Sequence, residues 1–261
     1  MKLKQIWEKG KTLFNSGKKR SSAVALLLAV AAIFWFVNDP AIVGVSATTR
    51  LLPIYCVKRD GKMVSLTFDA AWGNEDTQTL IDILSKYHVK ATFFLVGQWV
   101  DKYPESVKAL SDAGEEIGNH SNDHAHFSSL SSGEIVSNIN ACSDKIEAVT
   151  GKRPTLFRAP YGEYDDNVIA SVNSIGMHTI QWNTDSLDWK GLSADEIIRR
   201  VTKNVVPGSI ILFHNAAEHT PEALPTIIEY LIREGYTIVP VSELLLTGDY
   251  TIDHTGCQCP A

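Results

Sequence analysis

Internal repeats and low-complexity tracts are absent from this 261-residue sequence, and after residue 37 no long apolar run recurs. With 44% apolar and 21% charged residues, the composition is that of a folded globular protein. These features exclude a disordered, collagen-like or multi-span membrane chain. Positive charge is short over most of the length. Residues 48–261 hold 17 Lys/Arg against 28 Asp/Glu, a net of −11, so this body is a poor fit for gripping nucleic acid by its phosphates. Cysteine is scarce too. Cys56 and Cys142 are isolated, and Cys257-Gln258-Cys259 sits in a short tail with Gly256 and Pro260. A C-x-C pair can hold a soft metal, form a strained disulfide or be incidental to a tail.

The missing positive charge is concentrated at the start. Residues 1–47 carry seven Lys/Arg against two Asp/Glu, a net of +5, with Lys18-Lys19-Arg20 just before an uncharged stretch from Ser22 to Val37. That stretch spans about 24 Å as a helix, a little less than the ~30 Å hydrocarbon core. It reads either as a signal anchor with its basic flank inside or as a signal peptide cleaved after Val45-Ser46-Ala47. Both readings export the body. The organisation expected is a basic cytoplasmic segment at 1–21, a transmembrane or signal segment at 22–37, a linker at 38–56, one domain at 57–246 and a Cys-x-Cys tail at 247–261.

Within the domain, strand and helix patterns alternate. Strands are expected at Met63–Phe68, Ala91–Val96, Glu115–Gly118, Thr155–Arg158, Met177–Trp182, Ser209–Phe213 and Tyr236–Val241. Helices are expected between them: Thr77–Tyr87, Pro104–Ala113, one opened by Ser131-x-x-Glu134, Asp166–Ile175, one opened by Ser193-x-x-Glu196, and Thr220–Glu234. The two S-x-x-E segments are capping boxes. Gly114, Gly151, Gly176 and Gly235 stand where helices stop. Such alternation implies an α/β fold with a parallel sheet, open or closed into a barrel. Asp69, His120, Arg158, Asp185 with Asp188, and His214 all fall at or just past C-terminal strand ends, the active face of an α/β barrel.

These residue types supply the parts for hydrolysing an acyl group. His120 and His124, four apart, would share one face of a helical turn and could chelate a divalent metal. His126, in an extended stretch, would point elsewhere. Asp69 closes an apolar strand, where an acid is costly unless paired or used. Arg158 precedes a Pro/Gly-shaped loop, Ala159-Pro160-Tyr161-Gly162, that could offer an N–H to an oxyanion. Either Asp185 or Asp188 could pair with Arg158, and Trp189 adds an aromatic wall. His214 ends the apolar strand as a candidate acid.

Thr67-Phe68-Asp69, His120-Ser121 with His124, Phe157-Arg158-Ala159-Pro160-Tyr161-Gly162, Asp185-x-x-Asp188-Trp189 and Leu212-x-His214 occur in one order. Together they resemble the NodB-homology polysaccharide deacetylases, carbohydrate esterase family four, over residues 57–246. The run from Thr67 to Asp76 is similar to the sporulation-associated, PdaB-like subgroup of endospore formers. The resemblance implies a distorted (β/α)7 barrel and a metal-dependent N-deacetylase of peptidoglycan or chitin-like glycan. It assigns Asp69 as the base, His214 as the acid, Arg158 as the residue orienting the base and Asp188 as its partner. It gives His120 and His124 as ligands of a divalent ion (Zn²⁺, with Co²⁺ or Ni²⁺ as alternatives). It also places the Tyr161 N–H at the oxyanion, and Trp189 and Leu212 in the walls of the sugar pocket. One departure stands out. The family usually carries a second acid, a third metal ligand, after the base, and here that position is Ala70. Water, Glu75 or Asp76 could complete a weak shell. Alternatively, the ion could arrive only with substrate, or the site could bind glycan without cleaving it.

Overall fold

The computed structural model describes residues 50–261. The basic segment and the apolar run at 22–37 lie outside the described residues. Among the described residues no helix is long and apolar enough to cross a membrane.

The strands are β1 Cys56–Val57, β2 Met63–Ala70, β3 Thr92–Leu95, β4 Glu116–Asn119, β5 Leu156–Phe157, β6 His178–Thr179, β7 Thr184–Asp185, β8 Ile210–His214, β9 Thr237–Ile238, β10 Tyr250–Ile252 and β11 Cys257–Pro260. The helices are α1 Thr77–Lys86, α2 Gly97–Lys102, α3 Pro104–Asp112, α4 Ser132–Thr150, α5 Asp166–Ser174, α6 Ala194–Asn204, α7 Thr220–Arg233 and α8 Val241–Leu244. All seven expected strands are present, several of them shortened. The sequence pattern missed α2, β1, β7, β10 and β11, none longer than six residues and too short to show a period.

Helix boundaries follow local chemistry. In α4 the Ser131 Oγ accepts from the Glu134 N–H while Glu134 accepts the Ser131 N–H, closing the box. Gly151 then ends the helix at φ 72°, a left-handed turn that suits glycine. The reciprocal pair at Ser193 and Glu196 opens α6 in the same way.

The main sheet runs β6-β5-β4-β3-β2-β8-β7, every pair parallel, with β9 added beside the start of β2. It is a curled half-barrel whose edges, β6 and β7, do not pair with each other. The expected seven-stranded closure is thus replaced by a seam. The chain ahead of β2 lies at that seam: Ile54 bridges to Ile180, and Cys56 bridges to Ser209. The strands at the seam are only two residues long, too short to build a closing ladder.

The central strand β2 explains the layering. It is buried on both faces, as parallel strands under helices are. Val64, Leu66, Phe68 and Ala70 join the apolar layer beneath the helices, with Leu80, Leu84, Trp99, Ile227 and Leu231. The alternate residues Ser65, Thr67 and Asp69 take the other face. Ser65 Oγ donates to the Val239 carbonyl at 2.7 Å, and Thr67 Oγ1 to the Ile211 carbonyl at 2.7 Å, so these two buried hydroxyls are satisfied. The segment assigned as a tail is part of the fold: β11 pairs with both β1 and β10 in a second small sheet.

Candidate active site

Asp69 ends the inner face of β2 and is 5% exposed. Its Oδ1 accepts from Arg158 Nη1 at 2.7 Å, and its Oδ2 lies 3.5 Å from His120 Nε2. Burial works to raise its pKa, but the charges of Arg158, His120 and His214 outweigh that, and the carboxyl is held below the usual carboxylate range. Arg158 leaves the end of β5 and is fully buried. Nη1 also donates to Thr67 Oγ1 at 2.9 Å, and Nη2 to the Gln181 carbonyl at 3.2 Å. The guanidinium stands 4.1 Å above the Phe94 ring. Gly118 on the neighbouring strand makes room for that ring, because a Cβ there would fall 2.5 Å from Phe94 Cδ1.

His214 ends β8. Its Nδ1 lies 2.8 Å from Asp188 Oδ1, and its own N–H donates to Asp188 Oδ2 at 2.8 Å. Asp188 also accepts from Thr220 Oγ1 at 2.7 Å and from the Trp189 N–H at 2.9 Å. Burial pulls the His214 pKa down, but the hydrogen bond and charge of Asp188 override it, and the net shift is upward. The expected pairing of Arg158 with Asp185 or Asp188 is therefore incorrect. Arg158 is used up by Asp69, and Asp188 turns to His214. Asp185 caps its own loop, accepting from the Leu187 N–H at 2.9 Å.

His120 follows β4. Its Nδ1 lies 2.8 Å from the Arg158 carbonyl, which can only accept, so Nδ1 carries the proton and Nε2 is left bare toward Asp69. Burial pushes His120 down to about 4 and lowers His124 as well, with Asp69 opposing in each case. The two rings stand edge to face with centroids 5.1 Å apart. They do not share a helical turn as their spacing implied. Residues 120–126 form a loop in which Ser121 (φ 71°) and His124 (φ 59°) take left-handed backbone, and this loop brings the rings together. His126 stays outside, stacked on Tyr161 and paired with Glu163 at 2.9 Å. Tyr161 itself has φ 59°, a strained value for a non-glycine residue.

One cavity of about 370 Å³ gathers Asp69, His120, His124, Tyr161, Trp189, Leu212 and His214. Arg158 and Asp188 stand directly behind it as buried partners. Trp72, Trp182, Asp185 and Ala71 complete the lining. Trp72 was not marked as a site residue in the sequence. It is half exposed and stacks on the His214 ring at 5.4 Å. An aromatic three residues past a strand-end acid was the available signal.

The chain matches the polysaccharide deacetylase family model over residues 57–180. The "Peptidoglycan-N-acetylglucosamine deacetylase" of Bacillus cereus is 34% identical over 70% of this chain and 68% of its own length. This chain belongs to the polysaccharide deacetylase family. Members of this family are hydrolases of carbon–nitrogen bonds other than peptide bonds. Another relative of this deacetylase-family chain is the "Uncharacterized protein YlxY" of Bacillus subtilis, 35% identical over 74% of this chain; the chain spans 60% of that protein. Among solved structures, a CE4 family pseudoenzyme of Bacillus anthracis is 40% identical, with a TM-score of 0.72 over 74% of this chain and 68% of its own. A mutant of that pseudoenzyme, described as having restored enzymatic activity, superposes equally well, at 41% identity and a TM-score of 0.72.

The divalent ion that goes with this family fits two donors here and fails at the third. His120 has its Nδ1 tied to a carbonyl and its Nε2 free, as a metal-bound imidazole does. Ala70 is buried in the apolar layer with Phe68 and does not line the cavity. Glu75 and Asp76 do not replace it. Glu75 folds back against Gly73, Asp76 Oδ2 accepts from the Ala216 N–H at 2.9 Å, and neither lines the cavity. Among the described residues no three His, Cys, Asp or Glu side chains stand where they could share one ion. The donor set therefore does not fit a resident ion held by three protein ligands.

Proposed function

We propose that this chain binds an N-acetylated glycan, of peptidoglycan or chitin-like type, with an acetamide in the cavity, and hydrolyses it to acetate and a free amine. The observation that carries this reading is that two charged pairs, Asp69–Arg158 and His214–Asp188, reach one cavity walled by exposed aromatics. Asp69, kept ionised by Arg158, takes a proton from the attacking water. The Tyr161 N–H faces the carbonyl oxygen as it gains charge. His214, held by Asp188, gives its proton to the departing nitrogen. Trp189 and Leu212 flank the sugar, and Trp72 covers the acid. With only His120 and His124 as donors, Zn²⁺, Co²⁺ or Ni²⁺ would bind weakly.

A second reading, glycan binding with little or no turnover, is favoured by Ala70 and by the likeness to a pseudoenzyme. Acetate release from chitooligosaccharides and muropeptides, measured with and without added Zn²⁺, Co²⁺ or Ni²⁺, separates the two. No release under any condition, with glycan binding intact, selects the second. Neither release nor binding sinks both. The basic and apolar N-terminal stretch supports an extracytoplasmic place for the domain, anchored in the membrane or freed after Ala47, and the run from Thr67 to Asp76 supports work on the spore wall. Full protection of the domain from protease added outside intact cells would refute export.

A further inference from the structure

The small second sheet carries a feature that the cavity does not use. Strands β1 and β11 run in parallel, with Cys56 opposite Cys257 and Val57 opposite Gln258. Gln258 faces inward, fully buried, and its Oε1 accepts the Leu246 N–H at 2.8 Å. Strand alternation then puts Cys257 and Cys259 on the other face, where both are half-buried, as is Cys56. The register is held from both sides. The Tyr55 N–H donates to the Gly256 carbonyl at 2.8 Å, and the Lys58 N–H to the Gln258 carbonyl at 2.8 Å. Asp253 Oδ1 accepts the Thr255 and Cys257 N–H groups at 2.8 and 3.0 Å, fixing the turn into β11. Gly256, at φ +81°, is required there, since a Cβ would fall 2.3 Å from the Tyr55 ring.

Cys56 and Cys257 are direct register partners, and each thiol perturbs the titration of the other. Register partners on adjacent strands stand roughly 4.8 Å apart, inside the ~4.4–6.8 Å Cα window of a disulfide. Cys257 and Cys259, two apart on one extended strand, stand roughly 6.7 Å apart, at the edge of that window. Cys142 is buried in α4 and donates to the Leu95 carbonyl at 3.3 Å.

We propose that Cys56 and Cys257 form a disulfide that ties β1, just ahead of the half-barrel, to β11 of the small sheet, with Cys259 remaining a thiol. A small-molecule disulfide such as oxidised glutathione suffices as oxidant. One cysteine thiolate displaces a glutathione thiolate, and the second cysteine then displaces the glutathione just attached. The protein gives up two thiol protons and two electrons and gains one S–S bond, and two glutathione thiols leave. Burial holds both cysteine thiols above their ordinary pKa, so their thiolates are poor leaving groups and the bond, once made, resists reduction.

The test takes the full chain through equilibration in glutathione buffers, followed by non-reducing peptide mapping and thermal melting. The expected result is one linked peptide pair, Cys56 with Cys257, and a melting temperature about 5 °C or more above that of the reduced chain, because the bond closes a loop of about 200 residues. Cys259→Ser should keep both effects, and Cys56→Ser should lose both. A Cys257–Cys259 or Cys56–Cys259 link, no link in fully oxidised buffer, or equal melting temperatures would overturn the assignment. The map of the unaltered chain decides the matter even if a variant fails to fold.

Discussion

Replacing Arg158 by Met tests the centre of the site. Arg158 is fully buried and makes its shortest contact, 2.7 Å, with an Asp69 carboxylate that is itself almost wholly out of water. Removing one member of such a pair leaves an uncompensated charge and costs about 3–5 kcal/mol. The hydrogen bonds to Thr67 and the Gln181 carbonyl are lost as well. Urea unfolding at pH 7, followed by circular dichroism, should show a deficit of that size for Arg158→Met. Adding Asp69→Asn should restore at least about 2 kcal/mol, because the orphaned charge is gone. The pH dependence carries a sign. In the parent, Asp69 titrates below its unfolded value, so its contribution is complete above the ordinary carboxylate range and is lost as pH falls through the depressed folded pKa. Without Arg158 the burial effect dominates, the folded pKa rises above the unfolded one, and acidification between the two should stabilise the variant. A deficit under about 1 kcal/mol, or a double variant no better than the single one, would refute the account.

Other perturbations probe the remaining parts. Asp188→Asn removes the contact that lifts His214, so the imidazole pKa read by NMR should fall from above 6.5 to below it, and acetate release should drop at least about 100-fold; an unmoved pKa refutes the pairing. In the parent, His214 is raised, so its stabilising contribution is present below pH 6.5 and is lost as pH rises through the folded value. Gly118→Ala should push Phe94 against the Arg158 guanidinium and cost about 1–3 kcal/mol in chemical denaturation; a neutral result would show that the ring has room to move. Ala70→Asp places a carboxylate that cannot rest unpaired in the apolar layer and should turn toward His120 and His124. Equilibrium dialysis should then show Zn²⁺ bound at least about tenfold tighter, and unchanged affinity would show that position 70 stays turned away.

The sequence carried much of this arrangement because strand-end positions and capping boxes are local signals. Asp69, His214 and the S-x-x-E helix starts could be placed from period and punctuation alone. What it could not carry was partner choice. Arg158 is 89 residues from Asp69, and Asp188 lies 26 residues before His214. Which acid meets which base depends on sheet order, with β2 between β3 and β8, and not on spacing. The rings of His120 and His124 do meet at the cavity, but not by the geometry that their spacing implied. Two positive-φ residues, neither of them glycine, replace the helical turn, and no sequence rule announces a left-handed serine or histidine. The seam was hidden for a different reason. Two-residue strands have no period to detect, and Ile54 and Cys56 reach the sheet from what reads as a linker.

The contrast between Ala70 and the charged pairs bears on what the cavity is for. An alanine at position 70 suits its surroundings, since a methyl group in an apolar layer needs no partner. The Asp69–Arg158 pair does not have that excuse. Taking both charges out of water is expensive, and buried pairs of this kind are often no more stabilising than apolar residues of the same volume. If stability alone shaped this strand end, the double variant Asp69→Asn with Arg158→Met would be clearly destabilised; a near-neutral one leaves the pair without a purpose in the fold. Yet the chain holds the guanidinium between Thr67, Asp69 and the Gln181 carbonyl and floors it with Phe94, to which Gly118 gives way. So many residues committed to keeping one carboxylate ionised beside a cavity are accounted for by chemistry at Asp69, with substrate as the missing partner. A double variant that keeps full stability and glycan binding but loses acetate release would bear this out. One that loses stability and keeps release would assign the pair to the fold instead.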